Sequence, residues 1–137
     1  MSNATPSIHA ILCEDIREEL NRKYSLFGVF SGDIHVPHFP ANIKMAIYVE
    51  FLGFPKGEHD VGGEVTYGGT AIFKLEAKMN VLEGQVAVLI MPSIFVPIAE
   101  EGQLEIKVKG ADGEPRTVIS KHISVGEIPS LVGTPAS

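Results

Sequence analysis

Tryptophan is absent from this 137-residue chain, and tyrosine, cysteine and basic residues are all scarce. With no Trp and only three Tyr, the chain is poorly supplied with the aromatic platforms on which sugars or nucleobases stack. Eleven Lys and Arg stand against 17 Asp and Glu, which gives a net charge of −6. That balance repels phosphate backbones, so we expect no nucleic-acid binding.

The single cysteine, Cys13, cannot form an intramolecular disulfide. It lies between Leu12 and Glu14, and free cysteine is among the most buried residue types, so we predict a small buried thiol. A nucleophilic cysteine needs an electropositive setting, whereas Glu14 and Asp15 would raise its pKa. A structural role is therefore the better interpretation.

Long apolar segments are also missing. The longest apolar run, Val86–Met91, is too short to span a bilayer and is broken by Pro92. The N-terminus shows no basic stretch followed by an apolar run, so no signal peptide is expected. We therefore predict a soluble protein in the reducing cytoplasm, without membrane association.

Alternation of apolar and polar residues is the clearest positive feature. Odd positions in 43–51 are apolar, and the same period of two returns in 73–79 and 104–109, which predicts strands with one buried face. One-sided strands must pack against a second layer. We predict an all-β fold: an antiparallel β-sandwich of about seven to eight strands with one short helix, with a partly closed barrel as the alternative. The whole chain, 1–137, is expected to be a single domain with an ordered core over 7–126 and loose termini.

The predicted helix covers residues 14–23. Its acidic residues come early and its basic residues late, as the helix dipole favours, and Ile16 and Leu20 are four apart on one face. The next segment, residues 25–36, predicts one long strand interrupted by two glycines.

Glycine pairs and an Asp-Gly dipeptide indicate the turns. The pairs at 62–63 and 68–69 are not followed by the Lys-Ser/Thr of a phosphate loop, so both are interpreted as turns. Residues 103–109 and 115–125 predict a hairpin, because the segment between them contains Asp-Gly.

Three histidines are the candidate metal ligands: His35, His38 and His59. Transition metals need three or four N, O or S ligands arranged around the ion, and a cupin-like enzyme or small-ligand binder would draw them from neighbouring strands. Pro37 separates two of these histidines, and isolated histidines on loops are common. The chain also lacks a Gly-x-Ser-x-Gly motif. We therefore predict no cofactor and no catalytic residue, and keep the metal-binding or ligand-binding protein as the alternative.

Without a catalytic pattern, binding or assembly through protein–protein contacts is the favoured function. Edge strands can pair with another chain, so we expect a protein partner or self-association. Burial explains most apolar residues beside the glycines and prolines, and an exposed cluster among them would mark the interface. The candidate interface residues are Phe27, Phe30, Phe39, Phe54 and Phe95.

Three short segments carry a resemblance to a known family. They are Ala-Ile-Leu-Cys-Glu-Asp at 10–15, Lys-Tyr-Ser-Leu-Phe-Gly-Val-Phe at 23–30 and Pro-His-Phe-Pro at 37–40. The chain resembles the DUF6941 family, small bacterial and phage-associated domains of unknown function, although Leu104 stands where that family usually has an aromatic residue. The resemblance implies a β-sandwich with no established activity, and it supplies no catalytic residues.

Overall fold

A computed structural model describes residues 6–82, 86–110 and 113–126. Within these residues the chain forms ten β-strands and one three-residue 3-10 turn, Leu20–Arg22. The strands are β1 (Ser7–Cys13), β2 (Asp15–Glu19), β3 (Lys23–Phe27), β4 (Ile34–Val36), β5 (Ala41–Leu52), β6 (Gly57–Tyr67), β7 (Thr70–Val81), β8 (Ala87–Ile98), β9 (Gly102–Lys109) and β10 (Pro115–Val125). The predicted loose termini fall mostly outside the described residues.

The strands make two packed sheets and one hairpin. A three-stranded sheet has the order β1-β5-β8, a five-stranded sheet has the order β4-β10-β9-β6-β7, and β2 pairs with β3. All pairs are antiparallel except β4 with β10. The predicted all-β, mostly antiparallel fold is confirmed, whereas the short parallel pair was not foreseen.

One hydrophobic core joins the two sheets. The alternation in 43–51 is confirmed on β5, where each odd position is buried. The same alternation on β9 buries its even apolar positions, and both sets belong to a single cluster. Burying one such side chain stabilises the fold by about 1.5–3 kcal/mol. The core residues of these two strands are Ile43, Met45, Ile47, Val49, Phe51, Leu104, Ile106 and Val108.

The helix predicted over residues 14–23 is wrong. The chain instead makes the β2–β3 hairpin and reverses at the 3-10 turn, where Asn21 has a φ of 64°. In the hairpin Glu19 lies opposite Lys23, and Ile16 lies opposite Leu26. An isolated ten-residue helix is marginal in water, whereas these charged and apolar cross-strand pairs add to contacts with the neighbouring sheet.

The single strand predicted over residues 25–36 is also wrong. Strand β3 ends at Phe27 in the hairpin, and β4 begins at Ile34 in the five-stranded sheet. Gly28 has a φ of 65°, a backbone conformation that strains residues with a Cβ atom. A larger residue would also have to displace the exposed Glu14 side chain, so glycine suits the point at which the chain leaves the hairpin.

The two glycine pairs have different roles. Gly68 and Gly69 form the predicted turn between β6 and β7. Gly62 and Gly63, predicted as a turn, instead lie inside β6. A Cβ at Gly62 would lie 3.0 Å from the main-chain oxygen of Leu75, so its absence allows close approach of β7.

The apolar segments 86–90 and 94–98 form one strand, β8, at the edge of the three-stranded sheet. Pro92 and Ser93 lie opposite Ala46 of β5, and the pairing register shifts there. Strand β8 therefore carries its prolines at a sheet edge, where proline is tolerated.

The predicted hairpin over 103–109 and 115–125 is confirmed by the antiparallel pairing of β9 with β10. Its Asp-Gly turn lies partly outside the described residues, since 111 and 112 are not among them.

Candidate protein-binding surface

The three candidate metal ligands do not share one site. His35 lies on β4 and His59 on β6, three strand positions apart in the five-stranded sheet, or about 14 Å at 4.8 Å per strand. His38 is exposed after β4, and Nε2 of His59 lies 2.6 Å from the main-chain oxygen of Pro55. Among the described residues, no group of three or more His, Cys, Asp and Glu could hold a metal ion.

An open depression of about 360 Å³ lies on the outer face of the five-stranded sheet, and the surface has other depressions of about 370 and 460 Å³. The lining of the first depression alternates lysine and glutamate around two glycines and contains no histidine. The lining residues are Gly62, Gly63, Glu64, Lys74, Leu75, Glu76, Lys107, Lys109 and Pro115. The depression therefore uses none of the residues on which the metal or ligand alternative rests.

The five candidate interface phenylalanines divide by exposure. Phe30, Phe39 and Phe54 are half-buried and pack against the core. Phe54, for example, meets the buried Phe51 edge-on at 5.3 Å between ring centroids. Phe27 and Phe95 remain 45% and 69% exposed. Burial thus accounts for three of the five candidates.

Phe27 and Phe95 differ in their surroundings. The guanidinium of Arg17 lies 5.0 Å from the Phe27 ring centroid, a cation–π contact that holds this ring within the β2–β3 hairpin. Phe95 lies opposite Lys44 on the outer side of the three-stranded sheet, because its buried neighbour Val96 points into the core. Phe95 is the aromatic ring that intramolecular packing leaves uncovered.

The outer side of the three-stranded sheet is unusually apolar. Ile11, Tyr48 and Ile90 lie directly opposite one another across β1, β5 and β8. Ile11 is 39% exposed, and the other two are half-buried. We call this row, together with the other apolar side chains that point outward from the same sheet, the apolar face; Glu50 lies within it, between Tyr48 and Leu52. The residues of the apolar face are Ile11, Tyr48, Leu52, Val88, Ile90 and Phe95.

The β2–β3 hairpin covers part of the same side. The rings of Tyr24 and Tyr48 lie 5.6 Å apart at 58°, and β2 contacts both β5 and β8. Cys13 and Ala46 point to this side of the sheet, yet both are buried. Ala46 lies between Lys44 and Tyr48 along β5, so the covered part of the sheet separates the Ile11–Tyr48–Ile90 row from Phe95. The hairpin leaves the row and Phe95 at least partly open on its two sides.

Tyr48 places a polar group within the apolar face. Its hydroxyl donates a 2.8 Å hydrogen bond to a carboxylate oxygen of Glu50. Burial, and then this hydrogen bond, raise the pKa of Tyr48 to about 12. The phenol is therefore a neutral donor at ordinary pH, and tyrosines of this kind are enriched in protein interfaces.

The buried thiol predicted for Cys13 is confirmed. Its Sγ lies 3.4 Å from the main-chain oxygen of Asp15 and 3.7 Å from that of Ala46. Burial raises the pKa of Cys13, and the charges of Asp15 and Glu14 act in the same direction.

Sequence reasoning missed the Ile11–Tyr48–Ile90 row. Two features of the sequence pointed to it: β8 is apolar on both faces, and Tyr48 lies at an even position of β5, where the alternation predicts a solvent-facing side chain. The three residues come from separate parts of the chain, so the row is visible only once the strand registers are known.

Comparisons with protein-family models, with curated proteins and with solved structures found no match for this chain. The resemblance to the DUF6941 family therefore stays a prediction. No helix among the described residues has the length and apolar character needed to cross a bilayer.

Proposed function

We propose that this protein is a non-catalytic binding domain that docks a protein partner on the apolar face. The observation that carries the proposal is the contrast between the two outer surfaces of the sandwich. The five-stranded sheet shows lysine and glutamate in alternation on β7, whereas the three-stranded sheet shows the Ile11–Tyr48–Ile90 row and the exposed Phe95. Clustered exposed apolar residues on a folded domain are typical of interaction sites.

The arrangement of polar groups supports the same proposal. Lys44 lies opposite Phe95, and His9 lies on the edge strand β1, whereas Glu50 lies within the face on the central strand, where it accepts the Tyr48 hydrogen bond. Protein interfaces commonly have an apolar centre, with large aromatic side chains as anchors, inside a polar rim. Phe95 has the size and exposure of such an anchor.

The test compares partner capture by matched variants of the full chain. Ile11→Lys and Phe95→Lys change the apolar face, and Ile72→Lys is the control, because Ile72 is 42% exposed on β7, away from that face. We expect a captured protein whose recovery falls with the first two variants and is kept with the control. Recovery that is unchanged by both test variants, or lost equally with the control, contradicts the proposal.

A further inference from the structure

Among the described residues, strand β7 is an edge of the five-stranded sheet and pairs only with β6. It runs for twelve residues, Thr70–Val81, without a proline. The other sheet edges are less suited to pairing: β8 contains Pro92 and Pro97, and β4 has three residues. On β1, the main-chain oxygen of Leu12 already accepts a hydrogen bond from Phe30 N–H at 2.9 Å. An edge as long as β7 is a template for another strand.

The neighbouring strands show which main-chain groups of β7 are directed away from β6 and have no partner strand among the described residues. Gly68 N–H donates to the main-chain oxygen of Gln103, so the even residues of β6 are directed at β9 and its odd residues at β7. Because Val61 lies opposite Ala77, the odd residues in this part of β7 are directed at β6. The even residues therefore direct their N–H and C=O groups away from β6, at the edge of the sheet. They are Lys74, Glu76, Lys78 and Asn80.

The side chains of β7 are also incompletely covered. Its outward side chains alternate in charge from Lys74 to Lys78, and its inward side chains are apolar but only half-buried. Val61, directly beside them on β6, is fully buried. The half-buried inward residues are Phe73, Leu75, Ala77 and Met79. A strand added at this edge would complete both the hydrogen-bond ladder and the apolar row.

We infer that β7 pairs antiparallel with β7 of a second copy of this chain, about a twofold axis at Ala77. In that register Glu76 lies opposite Lys78 of the second copy, and Lys78 lies opposite its Glu76. Leu75 then meets Met79, and Phe73 meets Val81, so the inward pairs are all apolar. The paired segment covers residues 73–81 of each copy and so excludes the irregular pairing near Ile72.

Neighbouring registers are less favourable. A twofold axis at Glu76 would place Glu76 opposite Glu76 and Lys74 opposite Lys78, and like charges directly opposite destabilise a sheet. A slip by one residue would set outward side chains against inward ones. An axis at Leu75 also pairs Lys74 with Glu76. In that register, however, the paired segment includes Ile72, where the pairing of β7 with β6 is irregular.

Lysines on an edge strand can also prevent pairing with another chain. On β7 Glu76 lies between the two lysines, so an antiparallel copy can set opposite charges against each other, which a strand of one sign could not. The ammonium of Lys78 lies 3.5 Å from Glu58 and 3.8 Å from Asp60, and all three side chains are largely exposed. Exposed pairs of this kind contribute little, so Lys78 is able to turn towards a second copy.

Sedimentation equilibrium of the full chain tests the dimer. The wild type is expected to dimerise reversibly, and Glu76→Lys and Lys78→Glu should each weaken dimerisation by about tenfold or more, since two attractive pairs become repulsive. The double variant, Glu76→Lys with Lys78→Glu, restores opposite charges and should recover most of the affinity. Lys44→Glu is the control, because it makes the same charge change on β5, in the other sheet.

Amide exchange provides a second readout that does not depend on substitution. The N–H groups of Lys74, Glu76 and Lys78 should be protected at high protein concentration and exchange quickly at low concentration. A monomer at all concentrations, a dimer insensitive to both single variants, or no rescue by the double variant overturns the inference. It does not rest on the proposed function: the apolar face lies on the other sheet, so Phe95→Lys should leave the dimer intact.

Discussion

The Ser93 hydroxyl on β8 lies 2.8 Å from the main-chain oxygen of Glu14 and 3.1 Å from a carboxylate oxygen of Asp15, and these two acceptors share its single proton. This contact joins the edge of the three-stranded sheet to the beginning of the β2–β3 hairpin. The hairpin in turn covers Cys13 and leaves the apolar face open. A single hydroxyl thus helps to decide which part of the sheet remains exposed.

Ser93→Ala should loosen the hairpin without unfolding the sandwich. We expect the free energy of unfolding to fall by on the order of 1 kcal/mol for the lost hydrogen bond to Glu14, and amide exchange in β2 and β3 to rise. Ser120→Ala is the control, since its exposed hydroxyl accepts a hydrogen bond from Gln103 elsewhere in the fold. Equal hairpin exchange in the two variants would contradict the role of Ser93.

The carboxyl of Asp15 should titrate below its ordinary pKa of 3.8. The Ser93 hydrogen bond is the chief cause of the lowered pKa, and the Ile16 N–H and the charges of Lys44 and Arg17 act in the same direction. Since the pKa is lowered in the folded state, the stabilisation is complete above the unfolded-state pKa and is lost as the pH falls through the folded-state value. Carboxyl NMR titration should show a higher Asp15 pKa in Ser93→Ala. The difference in free energy of unfolding between the wild type and Ser93→Ala should narrow in acid. An Asp15 pKa that is unchanged in Ser93→Ala would contradict this assignment.

The Cys13 thiol should be unreactive in the folded protein. Burial raises its pKa, so little thiolate forms near neutral pH, and the hairpin blocks access for reagents. A disulfide reagent should modify the thiol only after denaturation, which absorbance measures directly. Ser93→Ala should accelerate the native-state reaction if hairpin opening exposes the thiol. Rapid reaction in the wild type would show that the hairpin does not cover Cys13.

The regular strands could be predicted because one-sided burial imposes a period of two on the sequence. The alternation at 43–51 lies within β5, and the alternations at 73–79 and 104–109 lie within β7 and β9. The glycines in the middle of β6 prevented prediction of the first part of that strand. Gly62 allows close approach of the Leu75 main chain and Gly63 makes room for the Met91 side chain, and local propensity reveals neither contact.

The β2–β3 hairpin could not be distinguished from a helix by local pattern alone. Residues four apart on a helix face are neighbours, but residues around a short chain reversal are neighbours as well. Glu19 and Lys23 satisfy both geometries, and in the structure they lie opposite each other across the hairpin. Contacts with β5 and β8 favour the hairpin, and these are distant in sequence.

The candidate surface was foreseen only in part. Choosing phenylalanines beside glycines and prolines identified Phe95, but it also chose Phe30, Phe39 and Phe54, which pack against the core. Exposure depends on which sheet face a residue points to, and a one-residue change in register reverses that face.

Phe51 and Phe95 give a direct test of which side of the three-stranded sheet is buried. Phe51 is 1% exposed in the core, so Phe51→Ala should lower the free energy of unfolding by about 3–5 kcal/mol. Phe95→Ala removes the same atoms from the outer side and should change it by less than about 0.5 kcal/mol. Denaturant unfolding measures both values, and the unfolding slope should stay constant if only stability changes. A loss of several kcal/mol in Phe95→Ala would mean that the ring is covered within the protein. The apolar face would then lack its anchor, and the proposed partner site would have to be sought elsewhere.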